Sequence, residues 1–430
     1  MKKILMLGST GRGTTELLLE ARKRGLFTII TDNLTPERAP VKLIADEYWM
    51  ISTDQIDLLE QKCREEGING VINGISTFNI NTTMELCRRL GLPCYADPDS
   101  WHFTVDKRAF KDICLKNKVP VAQDYYVGIH PTEEELNKIR FPVVVKAIDL
   151  SANRGMSYCN SKEDVLKACT YARSMSKSNT VIIEKMLRGR EYTAWYLMAE
   201  GEMVLLDFGV MLTQPGYPGN CYSLTTTLSD QRDLFMKEMN DPLINALKDM
   251  RCRDGIGWVE MMMDEDDHHL YALEMGYRMS GDMLSLPLSI SHGVNIFSWL
   301  IDIAMGEKHS AERLKERAPR LHKISEACSY ILWSKKGGVL TEISGFEEIR
   351  KIPTVNVDSR LRVGDAVGEH QYLAVITFNV NNAEEMIDII NRINSYAVYK
   401  VNHEDIVIRY DDFKTLKAIE YLRHQGTNRD

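Results

Sequence analysis

The chain has 430 residues, of which 44% are hydrophobic and 27% charged, and 61 acidic against 53 basic side chains leave a formal net charge of −8. At about 150 residues per domain this length suggests roughly three units with real cores, which excludes disorder as the dominant state, while the acidic balance argues against a surface built for nucleic acid or anionic membrane. Nine cysteines lie scattered from Cys63 to Cys328 without a CxxC pair, so reduced thiols in core positions are expected rather than a disulfide framework or a zinc site.

Met1-Lys2-Lys3 is basic, but the apolar run behind it stops at Gly8, short of an export signal. With no stretch of about 18 uninterrupted apolar residues, a cytoplasmic chain without a spanning helix is expected. Lys3 to Leu7 reads as a strand, Gly8-Ser9-Thr10-Gly11-Arg12-Gly13 as a turn and Thr14 to Arg24 as a helix. Thr28 to Thr31 follows as a strand, Gln55 to Glu66 as a helix, Gly70 to Ile72 as a strand and Asn81 to Leu90 as a helix. This alternation implies a parallel sheet covered on both faces. The turn is not the dinucleotide pattern GxGxxG, although Asp32 stands where a ribose-binding acid would. A glycine turn that starts a helix close to a strand is the better reading, and its helix N-terminus suits a substrate anion.

Pro93 to Asp99 reads as a linker and puts a first boundary near residue 95. A helix from Val105 to Asn117 leads to the β-rich run Phe141 to Lys146, the loop Asp149 to Gly155 and a strand from Thr180 to Glu184. Strands Tyr192 to Leu197 and Met203 to Phe208 precede the turn-rich stretch Gln214 to Asn220, and Gly257 to Met263 and Leu270 to Met275 flank the polar turn Asp264 to His269 as a hairpin. Asp207-Phe208-Gly209 spells a kinase signature, but no HRD loop precedes it and it is read as coincidence. From about Glu312 the pattern changes to short strands and turns with one late helix, Ala383 to Ile393.

The chemistry concentrates in the middle region. Lys146 ends Val143-Val144-Val145, where an ammonium must find an anion or snorkel out, and phosphate rather than a structural partner is the expected anion. Glu184 closes Val181-Ile182-Ile183 in the same manner. Glu260 and Glu274 sit on the two arms of the hairpin. Carboxylates on adjacent antiparallel strands lie about 5 Å apart and repel unless a cation joins them. Magnesium suits that place, since it takes one or two carboxylates and leaves its other positions to water and phosphate.

The order of these pieces resembles the ATP-grasp superfamily of carboxylate-activating ligases, which includes amino-acid ligases, purine-pathway ligases, carbamoyl-phosphate synthetase and biotin carboxylase. The resemblance runs over residues 1 to about 310. It rests on Asp106-Lys107, Val145-Lys146, Glu184-Lys185-Met186-Leu187 with Gly189-Arg190-Glu191-Tyr192, Glu260, and Glu274-Met275-Gly276-Tyr277-Arg278-Met279-Ser280-Gly281. Each piece is short; their common order is what distinguishes them. The resemblance implies an α/β chain with an N-terminal parallel-sheet domain over residues 1–95, a two-lobed ATP-grasp domain over 96–310 with a mobile lid at about 119–187, and a small β-rich α+β domain over 311–430. ATP and Mg2+ (or Mn2+) follow as cofactors.

In that resemblance Lys107 and Lys146 neutralise phosphates, Lys185 and Leu187 present hinge backbone to adenine, Glu184 is the hinge acid, and Glu191 meets the ribose. Arg154 adds charge in the loop over the phosphates, Glu260 and Glu274 are the metal ligands, and Arg278, with Lys146, is catalytic, stabilising charge on the transferring phosphoryl group. Gly276 departs from the family's Glu-x-Asn-x-Arg, which leaves a second metal site to water, to Asp282 or to another acid; an asparagine restored there is expected to be tolerated. The implied activity is an ADP-forming carboxylate–amine ligase working through an acyl phosphate on an amino acid or small acid. The alternatives are a carboxylase or carbamoyl-phosphate-type enzyme using bicarbonate, or a nucleotide-binding module without turnover. Its partners would be small-molecule carboxylate and amine substrates, and a homodimer is compatible with it.

Overall fold

A computed structural model of the chain describes residues 1–10, 13–149, 155–218, 221–317 and 323–426. Four parallel strands form the first sheet, in the order Glu47–Trp49, Phe27–Thr31, Lys3–Leu7, Gly70–Asn73. Three of them match the expected runs. Glu47–Trp49 was not legible, being three residues long and held mainly by pairing with Ile29 to Thr31. The helix Thr77–Leu90 starts four residues ahead of the expected Asn81 because the Ser76 side chain caps it, accepting from the Asn79 amide. Gly13, at φ 80°, precedes the helix Thr14–Lys23, and a Cβ there would lie 2.8 Å from Met279 Cε, so the turn does set a helix start against its neighbour. Gly11 and Arg12 lie outside the described residues. Asp32 is committed internally, to Lys42 Nζ at 2.6 Å and the Ser9 amide at 2.6 Å.

The expected linker and the helix behind it come out differently. Pro98–Val105 is helical, capped by Asp97, and the expected helix from Val105 to Asn117 breaks at Asp106. The Asp106 carboxylate accepts from the amides of Arg108 and Ala109 at 2.8 and 3.0 Å and starts a new helix, Lys107–Lys116. A small antiparallel sheet follows in the order Asp124–Gly128, Val181–Lys185, Val143–Ala147, Ser157–Cys159. The helix Lys162–Met175 covers it through Val165, Ala168, Cys169 and Ala172.

The large sheet runs Leu270–Gly276, Gly255–Met263, Glu191–Ala199, Glu202–Thr213, Tyr222–Thr226, Glu326–Ser334, Tyr372–Val380, Asn356–Asp358, with Val407–Ile408 also paired to Glu326–Ser334. Strands from beyond residue 311 thus continue the sheet begun by the middle region. The expectation of one late helix is corrected: Ala383–Tyr396 is joined by Phe413–Gly426, whose buried Leu416 and Ile419 make too brief an apolar stripe to show in the sequence. Among the described residues no helix is long and apolar enough to cross a membrane, and all nine cysteines are unbridged.

Candidate active site

The hairpin brings its two acids together. Glu260 and Glu274 are direct cross-strand partners, and a register shift follows between Glu260 and Met261. Glu191, at the start of the neighbouring strand, opposes Met262. Neither Glu260, Glu274 nor Glu191 forms a side-chain hydrogen bond or ion pair among the described residues. The consequence is repulsion: burial first, then Glu274, Glu191 and Asp282, holds the Glu260 carboxyl well above the usual carboxylate range against the pull of Arg278. Burial and then Glu274 push Glu191 up to about 7. Acids arranged so want a cation. No group of three or more His, Cys, Asp or Glu with metal-holding geometry occurs among the described residues, so a hard ion with one or two carboxylates and otherwise water or phosphate ligands is the kind that fits.

Arg278 lies beside these acids. Its guanidinium sits 5.3 Å from the centre of the Trp258 ring and donates to the Met279 carbonyl at 2.9 Å. It forms no ion pair among the described residues, and burial lowers its pKa while Tyr95, Glu260 and Glu274 favour its charge. Gly276 is needed by this packing: a Cβ on it would meet Trp258 Cε2 and Cζ2 at 2.3 Å. This packing runs against the expectation that an asparagine is tolerated at 276, because the indole occupies the space of any side chain there.

Two lysines stand near these acids, Lys107 on a helix packed against the strand of Glu274 and Lys146 on the small sheet. Lys107 is the first residue of its helix, and burial lowers its pKa while Glu274 raises it and Lys146 lowers it further. Lys146 does have a structural partner, contrary to expectation: its Nζ lies 2.5 Å from Glu184 Oε1. The other oxygen of Glu184 accepts from Lys111 at 2.8 Å, and Lys111 also pairs with Asp124. Burial opposes charge on Glu184, but Lys146 and Lys111 more than offset it and hold its carboxyl below the usual range. The acid read as a nucleotide contact thus grips two ammonium groups in this conformation. Lys111 was missed, although it follows Lys107 by one helical turn on the same face.

Lys185 and Leu187 lie where the small sheet meets the large one. The Lys185 amide donates to the Gln123 carbonyl at 2.8 Å and its ammonium binds Asp264 and Asp267 in the hairpin turn, Asp264 foremost in raising its pKa. Leu187 is half-buried in the connection beyond. Arg154 lies outside the described residues, as do Gly219 and Asn220 at the end of the turn-rich stretch. Gln214 in that stretch exchanges hydrogen bonds with Asp411 and lines a cavity of about 320 Å³ that Glu191, Tyr217, Tyr222, Tyr410 and Asp412 also border.

Asp207 has a structural task. It is fully buried and bound by His292 Nε2 at 2.9 Å, Arg232 Nη1 at 2.6 Å and Lys323 Nζ at 3.3 Å. Phe208 stacks between Tyr192 and Phe235 at 5.5 and 4.4 Å, and a Cβ on Gly209 would strike the Thr226 carbonyl oxygen at 2.4 Å. The kinase-like triplet is core.

A model of the carbamoyl-phosphate synthase L chain ATP-binding domain matches residues 106–202. A formate-dependent phosphoribosylglycinamide formyltransferase of Prochlorococcus marinus subsp. pastoris (strain CCMP1986 / NIES-2087 / MED4) is 30% identical over 190 residues, 43% of this chain and 48% of that one, so the match spans about half the relative's length. The protein of the same name from Prochlorococcus marinus (strain MIT 9515) is 29% identical over 369 residues, 83% of this chain and 87% of that one. Among solved structures, an L-amino acid ligase from Bacillus licheniformis superimposes with a TM-score of 0.75 at 16% identity, covering 94% of this chain and 99% of its own.

Proposed function

From the premise that the chain belongs to the ATP-grasp superfamily in fold, we propose that it is an ATP-dependent carboxylate–amine ligase, forming ADP and phosphate through an acyl phosphate. The observation that carries this is the pairing of two facing, unneutralised carboxylates, Glu260 and Glu274, with a guanidinium, Arg278, that has no ion pair among the described residues. That set accommodates a divalent cation on one side and a transferring phosphoryl group on the other. The cation, when bound, would neutralise phosphate charge and lower the repulsion between the acids.

The chain's own groups then do the remaining work. Lys107 and Lys146 supply point charges for phosphate oxygens, Glu184 keeps Lys146 oriented until an anion draws it away, and Arg278 offers a planar fork to the developing charge. The Lys185 ammonium is held by the hairpin turn and its amide by Gln123, so the hinge groups we assign to a base are the Lys185 carbonyl and the backbone at Leu187, with Glu191 assigned to the sugar. The names of the relatives, a formate-dependent formyltransferase and an L-amino acid ligase, both describe use of a small carboxylic acid, which supports the choice of reaction class. Division at residues 95 and 310, a cytoplasmic location and a homodimer belong to the same proposal.

The test is ADP release by the whole chain with Mg-ATP over a panel of amino acids, formate and other small acids, each with and without amine acceptors. Release that requires both a carboxylate and an amine, and that Glu274→Gln lowers at least 100-fold, is the expected result. Release driven by bicarbonate alone moves the chain to the carboxylase-type reading, and no release with any acid leaves a nucleotide-binding module.

A further inference from the structure

Trp258 and Glu260 are two apart on one strand and so share a face of the sheet. The indole is 6% exposed and belongs to the apolar cluster of Trp195, Met279, Phe297 and Leu300 that also receives Ile4 and Leu18 from the N-terminal unit. It is therefore packed into the core. Its Nε1 has no hydrogen-bond partner among the described residues. The ring lies against Gly276, where any Cβ would fall 2.3 Å from Cε2 and Cζ2 and 2.6 Å from Nε1, and its face carries the Arg278 guanidinium at 5.3 Å. Among the described residues the hydrogen-bond partner of Arg278 is its own neighbour's carbonyl, Met279 O at 2.9 Å.

A guanidinium on a long side chain keeps several rotamers unless something fixes it. Here the fixing group is an aromatic face, which attracts a cation while leaving the edge N–H groups for an incoming anion. We infer that Trp258 is the positioning residue for Arg278, and that Gly276 is the residue that gives it room; this rests on the reading of Arg278 as the group that meets the transferring phosphoryl. Glu260 and Glu274 attract the same guanidinium, yet it forms no ion pair with either among the described residues and lies over the ring instead. An ion pair with either acid would tie up both the metal ligands and the fork.

The experiment compares variants that keep an aromatic face with variants that do not, in the full chain, reading kcat and the KM for ATP per folded molecule. Trp258→Phe and Trp258→Tyr are expected to keep kcat within about threefold, since no hydrogen bond to Nε1 is lost. Trp258→Leu and Trp258→Met are expected to lower kcat at least tenfold with the KM for ATP changed by less than about threefold. Equal kcat in the aromatic and aliphatic variants overturns the inference. If neither aliphatic variant folds, fluorinated tryptophans inserted at 258 decide, because they weaken the negative ring face stepwise at nearly constant size. Log kcat should fall stepwise with fluorination, and a flat series overturns the inference. Arg278→Lys separates the two levels of argument. If it turns over like the parent chain, the reading of the site itself has failed, whereas a crippled Arg278→Lys beside an unaffected Trp258 series removes only the positioning role.

Discussion

Lys146 and Lys111 hold one carboxylate between them, and the two lysines should answer mutation differently. Lys111 is almost fully buried and pairs with both Asp124 and Glu184. Replacing it with Met removes a charge-assisted bond from each of two acids, although Glu184 keeps Lys146 and Asp124 keeps Arg108, and should cost on the order of 3 kcal/mol in denaturant unfolding. Lys146→Met leaves Lys111 on Glu184, so a loss of about 1 kcal/mol is expected, together with a large loss of ATP affinity and turnover. Unfolding curves and ATP titrations on both variants check this. A Lys146→Met chain that binds ATP as the parent does would make Lys146 a structural residue and nothing more.

Among the elements, the hairpin Gly255–Met263 and Leu270–Gly276 carries three separate constraints. It sets Glu260 opposite Glu274, its turn receives Lys185 from the small sheet, and its outer end packs Trp258 on Gly276. Because the indole is pinned by the cluster behind it, Gly276→Ala should force either ring or strand to move, at a cost of about 1–3 kcal/mol, and Gly276→Asn should cost more. Thermal melting of the two variants measures it, and a melting point within a degree of the parent for Gly276→Asn would show that the ring has somewhere else to go. The backbone at 276 is not left-handed, so the cost is steric rather than conformational.

At the scale of the whole molecule, Asp207 ties the large sheet to the helices that end at His292 and begin at Arg232 and to Lys323 ahead of Glu326–Ser334. Burial opposes its charge, but Lys323, His292 and Arg232 outweigh that and keep its carboxyl well below the usual range. A depressed folded-state pKa means stability that is present above the unfolded value, near 4, and is lost as pH falls toward the folded value. Asp207→Asn should therefore cost about 3–5 kcal/mol at neutral pH, and its gap from the parent chain should narrow as pH drops below about 4. Denaturant unfolding of both proteins from pH 3 to 8 follows the gap, and a gap independent of pH would rule out the charge as its source. Ligand should act on the same global equilibrium: Mg-ATP at 100 times its Kd stabilises by about 2.7 kcal/mol, a rise of a few degrees in Tm, and ATP with chelator should give much less.

Sequence pattern alone was sufficient for the parallel strands at Lys3, Phe27 and Gly70, for the hairpin at residues 255–276, and for Lys146, Glu184, Glu260 and Glu274 as charged groups on otherwise apolar strands, whereas Lys107 and Arg278 were singled out only through the family resemblance. These are local facts, since alternation and helical spacing are properties of neighbours in the chain. Which charge meets which was not local. Glu184 closes on Lys111 from 73 residues away, Asp207 collects His292 across 85, and strands from beyond residue 311 join a sheet whose first strand begins at Glu191. Gly276 shows the division most clearly. Its lack of a side chain was visible at once, but the reason for it, a tryptophan ring pressed onto the opposite strand and carrying Arg278, exists only once the two strands pair in register.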